Sequence, residues 1–127
     1  MEVNIMRVIE SRTSGYFKEL IGMELIVIVV HKTGSWILEA PLNLKDYDKY
    51  WNWLSREAFK AHVTNCESFE EFKDNIKHEE EVRACYIFKE HRSEFEYIRD
   101  FEDKDKTYFD DYKKYFNLSD EDIEKYY

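Results

Sequence analysis

The carboxylates around the stretch SEFEYIRDFED, residues 93–103, are the side chains best placed to act chemically. If this stretch is a strand, alternate residues share a face, and the acids lie about 6.6–6.8 Å apart on the face opposite the aromatic rings. That spacing is close to the distance between successive phosphates, so the row could occupy a cationic groove built for a nucleic-acid backbone. The candidate partner-binding carboxylates are Glu94, Glu96, Asp100, Glu102, Asp103 and Asp105, extended by Glu80 and Glu81.

The carboxylate row depends on a hairpin predicted across residues 82–101, with its turn at residues 90–93. The aromatic pairs expected on the inner face of this hairpin are Phe95 with Phe88 and Tyr97 with Tyr86. The same register sets Lys89 opposite Glu94, so ordinary cross-strand ion pairs could neutralise part of the row. Two interpretations therefore stay open, a binding surface and a solvated sheet face.

The charge of the chain is unevenly distributed. Residues 1–66 hold eight acids and eight bases, whereas residues 67–127 hold twenty acids and eleven bases, which accounts for the net charge of −9 over 127 residues. Phosphates would be repelled by the acidic half, so its expected partner is a basic protein or nucleoprotein complex rather than nucleic acid itself. Solubility alone is the competing explanation.

Basic side chains lie on the polar side of a helix predicted at 44–63. They are Lys45, Lys49, Arg56 and Lys60. Trp53 falls at the edge of this stripe and outside the predicted buried arc, which makes it a candidate anchor for a protein interface. The stripe could contact nucleic acid, but a solvated face or an internal complement to the acidic half is the simpler interpretation.

Motifs for enzymatic chemistry are weak. Three isolated glycines cannot form a phosphate-binding loop, and no G-x-S-x-G or H-E-x-x-H occurs. Glu102-x-Lys104 has a form found in some metal-dependent nucleases, although a tripeptide match is unspecific. Four residues could supply zinc ligands at a spacing that fits no usual finger: His62, Cys66, His78 and Cys85. We expect a non-enzymatic protein without metal or cofactor.

The elements that must position these residues follow from periodicity and caps. The predicted strands are an N-terminal strand at 3–9, a hairpin within 23–40 that turns at Gly34, and the hairpin at 82–101. The predicted helices are 14–22, 44–63, 69–78, 107–117 and 120–126, with capping boxes at Ser68/Glu71, Thr107/Asp110 and Ser119/Asp122. The apolar run LIVIVV (25–30) should lie near the middle of a sheet.

These elements predict one α+β domain over residues 1–127. Its antiparallel sheet would have four to five strands, from two hairpins and a possible N-terminal strand, with helices packed on one face. The longest apolar run is too short to span a membrane, and the N-terminus lacks signal-peptide character. Two cysteines without a C-x-x-C pair fit a reducing compartment. The expected location is the cytoplasm.

In composition, the chain resembles a class of small inhibitors: it is acidic, rich in aromatic residues and poor in glycine. Phages and mobile elements of AT-rich hosts encode such inhibitors against bacterial defences, including anti-CRISPR and anti-restriction proteins. The resemblance covers bulk character and no motif. It implies an inhibitor that blocks a basic, nucleic-acid-handling protein in the cytoplasm of a bacterial host cell. An immunity protein or antitoxin against a basic nuclease toxin would need the same electrostatics, and a structural protein that forms a homodimer is a further alternative.

Overall fold

The computed structural model describes residues 2–12, 15–61, 68–76 and 85–121, and its centre is a five-stranded antiparallel sheet in the order β4-β3-β2-β1-β5. The strands are β1 (Glu2–Val8), β2 (Glu24–Val30), β3 (Ser35–Pro41), β4 (Cys85–Ile87) and β5 (Phe95–Asp100). The helices are α1 (Tyr47–Ala61), α2 (Phe69–Ile76) and α3 (Tyr108–Phe116). Short 3-10 helices occupy Lys18–Leu20, Leu44–Asp46, Lys89–Glu94 and Asp103–Thr107. The predicted α+β class, with helices packed on the sheet, is confirmed.

The first predicted hairpin forms as expected. β2 and β3 pair from Leu25 opposite Pro41 to Val30 opposite Ser35. The turn between them ends at Gly34, whose φ of 72° lies in the left-handed region that glycine adopts without steric cost. β2 is the central strand, and Leu25, Ile26 and Val27 are buried on successive positions, so both of its faces are covered there.

The second predicted hairpin is wrong. β4 pairs with β3, whereas β5 pairs with β1, so the two strands lie at opposite edges of the sheet. The residues expected to form a tight turn instead form the 3-10 helix Lys89–Glu94, in which His91 and Glu94 are buried. Local pattern favoured pairing neighbouring strands, but the N-terminal strand offers β5 a longer partner than the three residues of β4.

Aromatic side chains on α1 and α3 fill much of the core. The buried residues are Tyr47, Tyr50, Trp51 and Trp53 on α1 and Tyr108, Tyr112 and Phe116 on α3. The Trp51 and Phe116 rings meet edge to face with centroids 5.1 Å apart, which joins the two helices. The helical spacing of the rings in residues 106–116 therefore describes packing.

The predicted caps have different outcomes. The Glu71 amide donates to Ser68 Oγ at 3.2 Å, as expected at the start of α2. Thr107 makes no side-chain capping bond to α3, and the capping box lies upstream, where Glu102 and Asp105 cap the 3-10 helix Asp103–Thr107. Asp120 and Glu121 are helical, and the rest of the predicted last helix lies outside the described residues. Among the described helices, none is long and apolar enough to cross a membrane.

Candidate functional site

Glu94 was predicted to be part of an exposed row, and that placement is wrong. Only 1% of the residue is exposed. Glu94 Oε1 accepts the Arg12 backbone N–H at 2.6 Å, and Oε2 lies 2.7 Å from His91 Nδ1. Because both carboxylate oxygens are engaged inside the protein, Glu94 ties the 3-10 helix Lys89–Glu94 to the loop after β1 rather than facing a partner.

Asp105 is also buried, against the expectation of a free surface charge. Its two oxygens accept a bidentate pair of bonds from the Arg99 guanidinium at 2.6 and 2.8 Å. The backbone N–H of Glu102 donates to the same carboxylate at 2.9 Å. The Arg99 bonds, and then the Glu102 N–H, lower the pKa of Asp105 to about 2. Asp105 is therefore a structural carboxylate that holds the end of β5 to the following turn.

A bulge in β5 breaks the predicted carboxylate row. Tyr97 lies opposite Met6 and Arg99 lies opposite Ile5, so Ile98 is an extra residue in the strand. As a result, Glu96 pairs with Arg7 and Asp100 pairs with Asn4. Positions 4 and 7 of β1 lie on opposite faces of the sheet, and their partners Glu96 and Asp100 do too. The even pitch of acids along one face is therefore not formed.

The exposed acids of this region instead surround the edge formed by β5 and the chain just after it. We call this region the β5 surface, and it consists of Glu96, Tyr97, Asp100, Glu102 and Asp103. Tyr97 is 55% exposed, although it was predicted to face inward. Its hydroxyl donates to Asp100 Oδ1 at 2.6 Å, which raises the pKa of Tyr97 and orients the ring beside the carboxylates.

Neighbouring cations balance part of the charge on the β5 surface. Glu96 lies 3.9 Å from Arg7, Glu102 lies 3.3 Å from Lys104, and Asp103 lies 3.2 Å from Lys106. These side chains are exposed, and exposed pairs of this kind contribute little energy. The carboxylates can therefore exchange a local cation for one on a partner. Glu102 and Lys104 of the nuclease-like tripeptide pair with each other.

The remaining predicted site residues are Trp53, Glu80 and Glu81, and only Trp53 lies among the described residues. Trp53 is 1% exposed, so its prediction as a surface anchor is wrong. Its Nε1 donates to the Tyr16 carbonyl at 2.8 Å, and its ring lies 5.4 Å from that of Phe17. The short 3-10 helix at Lys18–Leu20 packs on α1 and covers a face that helical periodicity had assigned to solvent. Glu80 and Glu81 lie outside the described residues.

Sequence reasoning missed a set of exposed aromatic residues at the other edge of the sheet. Tyr86 and Phe88 are 62% and 65% exposed, and both were predicted to face inward. Their exposure follows from the position of β4 at the sheet edge, a position that a local alternation pattern does not reveal. One feature of the sequence was consistent with an edge strand: the alternating apolar pattern that ends at residue 88 is short.

The described residues include no cluster of metal-ligating side chains. Within residues 2–12, 15–61, 68–76 and 85–121, no three His, Cys, Asp or Glu side chains are grouped to hold a metal ion. His62, Cys66 and His78 lie outside those ranges. Burial raises the pKa of the remaining zinc candidate, the Cys85 thiol, to about 12, which disfavours the thiolate that a metal requires.

Comparisons with known proteins give no family assignment. No protein-family model matches the chain, and neither curated proteins nor solved structures show a match. The function must therefore be argued from the surfaces themselves.

Proposed function

We propose that this protein is a small, acidic, non-enzymatic binding protein that blocks a basic, nucleic-acid-handling protein through the β5 surface. The observation that carries the proposal is Tyr97, a large aromatic side chain left 55% exposed on an edge strand and hydrogen-bonded to the exposed Asp100 carboxylate. Tyrosine is enriched at the centres of protein interfaces because it buries a large area with little loss of conformational freedom. The carboxylates around it select a cationic partner.

The mode of binding differs from the phosphate mimicry expected at first. Because the bulge at Ile98 places Glu96 and Asp100 on opposite faces, the acids do not follow the path of a nucleic-acid backbone. They bracket an edge strand whose outer backbone groups have no strand partner within the described part of the chain. This arrangement suits a partner that adds a strand or loop along β5 and contacts carboxylates on both sides.

In a bacterial host cell, such a binder would be an inhibitor of the anti-CRISPR or anti-restriction type. It would block a complex that defends the cell. An immunity protein or antitoxin that neutralises a basic nuclease toxin would use the same surface. The identity of the captured partner separates these two roles, since the first binds a nucleic-acid-targeting complex and the second binds a single toxin.

Charge reversal on the β5 surface tests the proposal. We expect the double variant Glu96→Lys/Glu102→Lys to lose a basic partner in affinity pull-downs analysed by mass spectrometry. The wild-type protein should retain that partner at low salt and release it as salt rises, because the contacts are largely electrostatic. The expected loss is at least about tenfold in affinity, as for removal of two charge pairs at an interface.

The matched control is Asp110→Lys/Glu121→Lys, which changes the net charge equally and alters exposed acids on α3 and after it. The control should bind like wild type, and circular dichroism should show both variants folded. Equal binding by the β5 variant and wild type would refute the role of this surface. Equal weakening in both variants would mean that net charge alone, without a site, drives capture.

A second candidate, homo-oligomerisation, is favoured by a row of apolar residues that crosses one face of the sheet from its β4 edge to β1. Tyr86, Ile37, Ile28 and Val3 lie side by side across β4, β3, β2 and β1, and all four are at least partly exposed. Phe88, just past the end of β4 and two residues after Tyr86, is exposed as well. Apolar residues contiguous across a sheet surface are typical of association sites.

The double variant Tyr86→Ser/Phe88→Ser tests this second candidate. If the row joins two copies, light scattering coupled to gel filtration should give a dimer mass for wild type and a monomer mass for the variant. A monomer mass for the wild-type protein at high concentration would exclude the oligomer and leave these rings without a role in self-association.

A further inference from the structure

An open cleft of about 290 Å³ lies where α1, α2 and the 3-10 helix Lys18–Leu20 meet. Its lining residues are Glu19, Lys49, Asn52, Arg56 and Phe69. Lys49, Asn52 and Arg56 are three and four residues apart on α1, so they share one face of the helix. Two of the five lining side chains are cations and one is an anion, so the lining is net positive although the chain as a whole has a net charge of −9.

Lys73 adds a third cation beside the cleft. Its Nζ donates to Asn52 Oδ1 at 3.0 Å, lies 3.4 Å from Glu70 Oε2 and stands 5.9 Å from the centre of the Phe69 ring. The ion pair with Glu70 is exposed on the carboxylate side, where only weak attraction is expected. The α2 helix therefore brings a cation and an aromatic wall to the basic face of α1.

The cations of the cleft differ in whether they are already paired with a carboxylate. Lys49 has no ion-pair partner among the described residues. Arg56 donates through Nε to the Asn52 carbonyl at 3.2 Å, and its Nη2 pairs with the Glu19 carboxylate. Both Arg56 and Glu19 are more than 40% exposed. The guanidinium thus already holds an oxyanion, supplied by the protein, at the mouth of the cleft.

We infer that this cleft is a binding site for a small phosphate-bearing ligand, no larger than a mononucleotide, and that Glu19 occupies the position of the ligand's anionic group. Arg presents a planar fork of donors that fits phosphate and carboxylate alike. Lys49 and Lys73 supply further charge, and Asn52 holds Lys73 in place. The cleft volume is at the lower end of the range for ligand pockets, which limits the ligand size.

The site is separate from the β5 surface and from the proposed inhibitory function. Its cations lie on α1 and α2, and the β5 surface uses none of them. Loss of ligand binding in the cleft variants therefore leaves partner binding through β5 as an independent measurement.

Isothermal titration with AMP, ribose 5-phosphate and inorganic phosphate at low ionic strength tests the inference on the full chain. We expect saturable binding that weakens with salt. Glu19→Gln should tighten binding about two- to fivefold, because the competing carboxylate, held by an exposed ion pair, is removed. Arg56→Gln and Lys49→Gln should each weaken it about tenfold. The control Lys114→Gln, which removes an exposed cation from α3, should bind like wild type.

Each outcome bears on the inference. Tighter binding in Glu19→Gln is the result that a purely structural Glu19–Arg56 pair would not produce, and thermal unfolding of the same variants checks their folding. Stronger binding of AMP than of ribose 5-phosphate would assign the Phe69 wall to the base, and equal binding would place recognition in the phosphate alone. Absence of saturable binding in both wild type and Glu19→Gln would overturn the site, as would equal weakening in Lys114→Gln.

Discussion

The acids just after β5 differ in their surroundings although they lie within a few positions of one another. Glu102 and Asp103 remain at the surface, while Asp105 turns inward and receives three hydrogen bonds. Composition marks all three as acidic, and only the path of the chain after β5 separates them. The sequence places these acids close together along the chain but does not say which of them the fold already satisfies.

We expect Asp105→Asn to destabilise the protein by about 1–3 kcal/mol at neutral pH, because the variant loses the charge-assisted bonds to Arg99. The folded-state pKa of Asp105 is lowered from 3.8 to about 2. Its contribution is therefore complete above pH 3.8 and is lost as the pH falls through 2. Urea unfolding from pH 7 to pH 2 measures this effect.

The difference in unfolding free energy between wild type and Asp105→Asn should accordingly shrink as the medium is acidified. Asp103→Asn is the matched control, since its carboxylate is exposed, and it should change stability by less than about 0.5 kcal/mol. A difference that stays constant down to pH 2 would show that the ion pair is not the source of the stabilisation.

At the scale of elements, local patterns predicted whether a segment forms a helix or a strand. They were less successful in predicting which strands pair. The β2–β3 hairpin followed from a turn glycine between two apolar runs, and α1 and α3 followed from apolar spacing. The placement of β4 and β5 at opposite edges required knowing that β1 competes for Phe95 and Tyr97. The bulge at Ile98 was equally invisible, because its cause is a pairing with residues more than ninety positions away.

Trp53 links α1 to the segment that contains Tyr16 and Phe17. Its substitution should therefore reduce stability rather than partner binding. Trp53→Phe keeps most of the ring and loses the hydrogen bond to the Tyr16 carbonyl, so we expect a cost of about 1 kcal/mol. Trp53→Ala should cost about 3–5 kcal/mol because it opens a cavity between α1 and Phe17. Chemical unfolding of both variants gives these values.

The partner captured by wild type serves as the control readout for Trp53. Trp53→Phe should retain the partner with unchanged salt dependence, since the ring is buried away from the β5 surface. Selective loss of that partner in a variant of near wild-type stability would restore Trp53 as an interface residue.

For the whole molecule, charge and aromatic content act on different parts of the structure. The described portion from residue 85 to residue 121 holds eleven acids and seven bases, and many of these acids pair with nearby cations. The rings, in contrast, form the core that joins the sheet to α1 and α3. Net charge therefore underlies the proposed preference for a basic partner, and aromatic content indicated how the domain is built.

Buried tyrosines should make the protein sensitive to alkali. Burial raises the pKa of Tyr16 to about 12 and raises those of Tyr47, Tyr50 and Tyr108 still further above the ordinary value of 10. Their stabilising contribution is complete below pH 10 and is lost as the pH rises through their folded-state pKa values. Tyrosinate absorbance and circular dichroism should therefore change together above pH 10. Full tyrosine ionisation near pH 10, without loss of structure, would contradict the buried placement.

The pairing of β1 with β5 also has a consequence for the order in which the chain can fold. Asn4 lies opposite Asp100, so β1 gains its second neighbour only when residues near 100 have emerged from the ribosome. Contacts this distant in sequence are slow to form because a long loop must close first. Until then, the backbone groups along one edge of β1 have no strand partner. A nascent chain stalled before residue 95 would be expected to aggregate. A chain that extends beyond residue 105 can pair β5 with β1 and also form the Arg99–Asp105 ion pair.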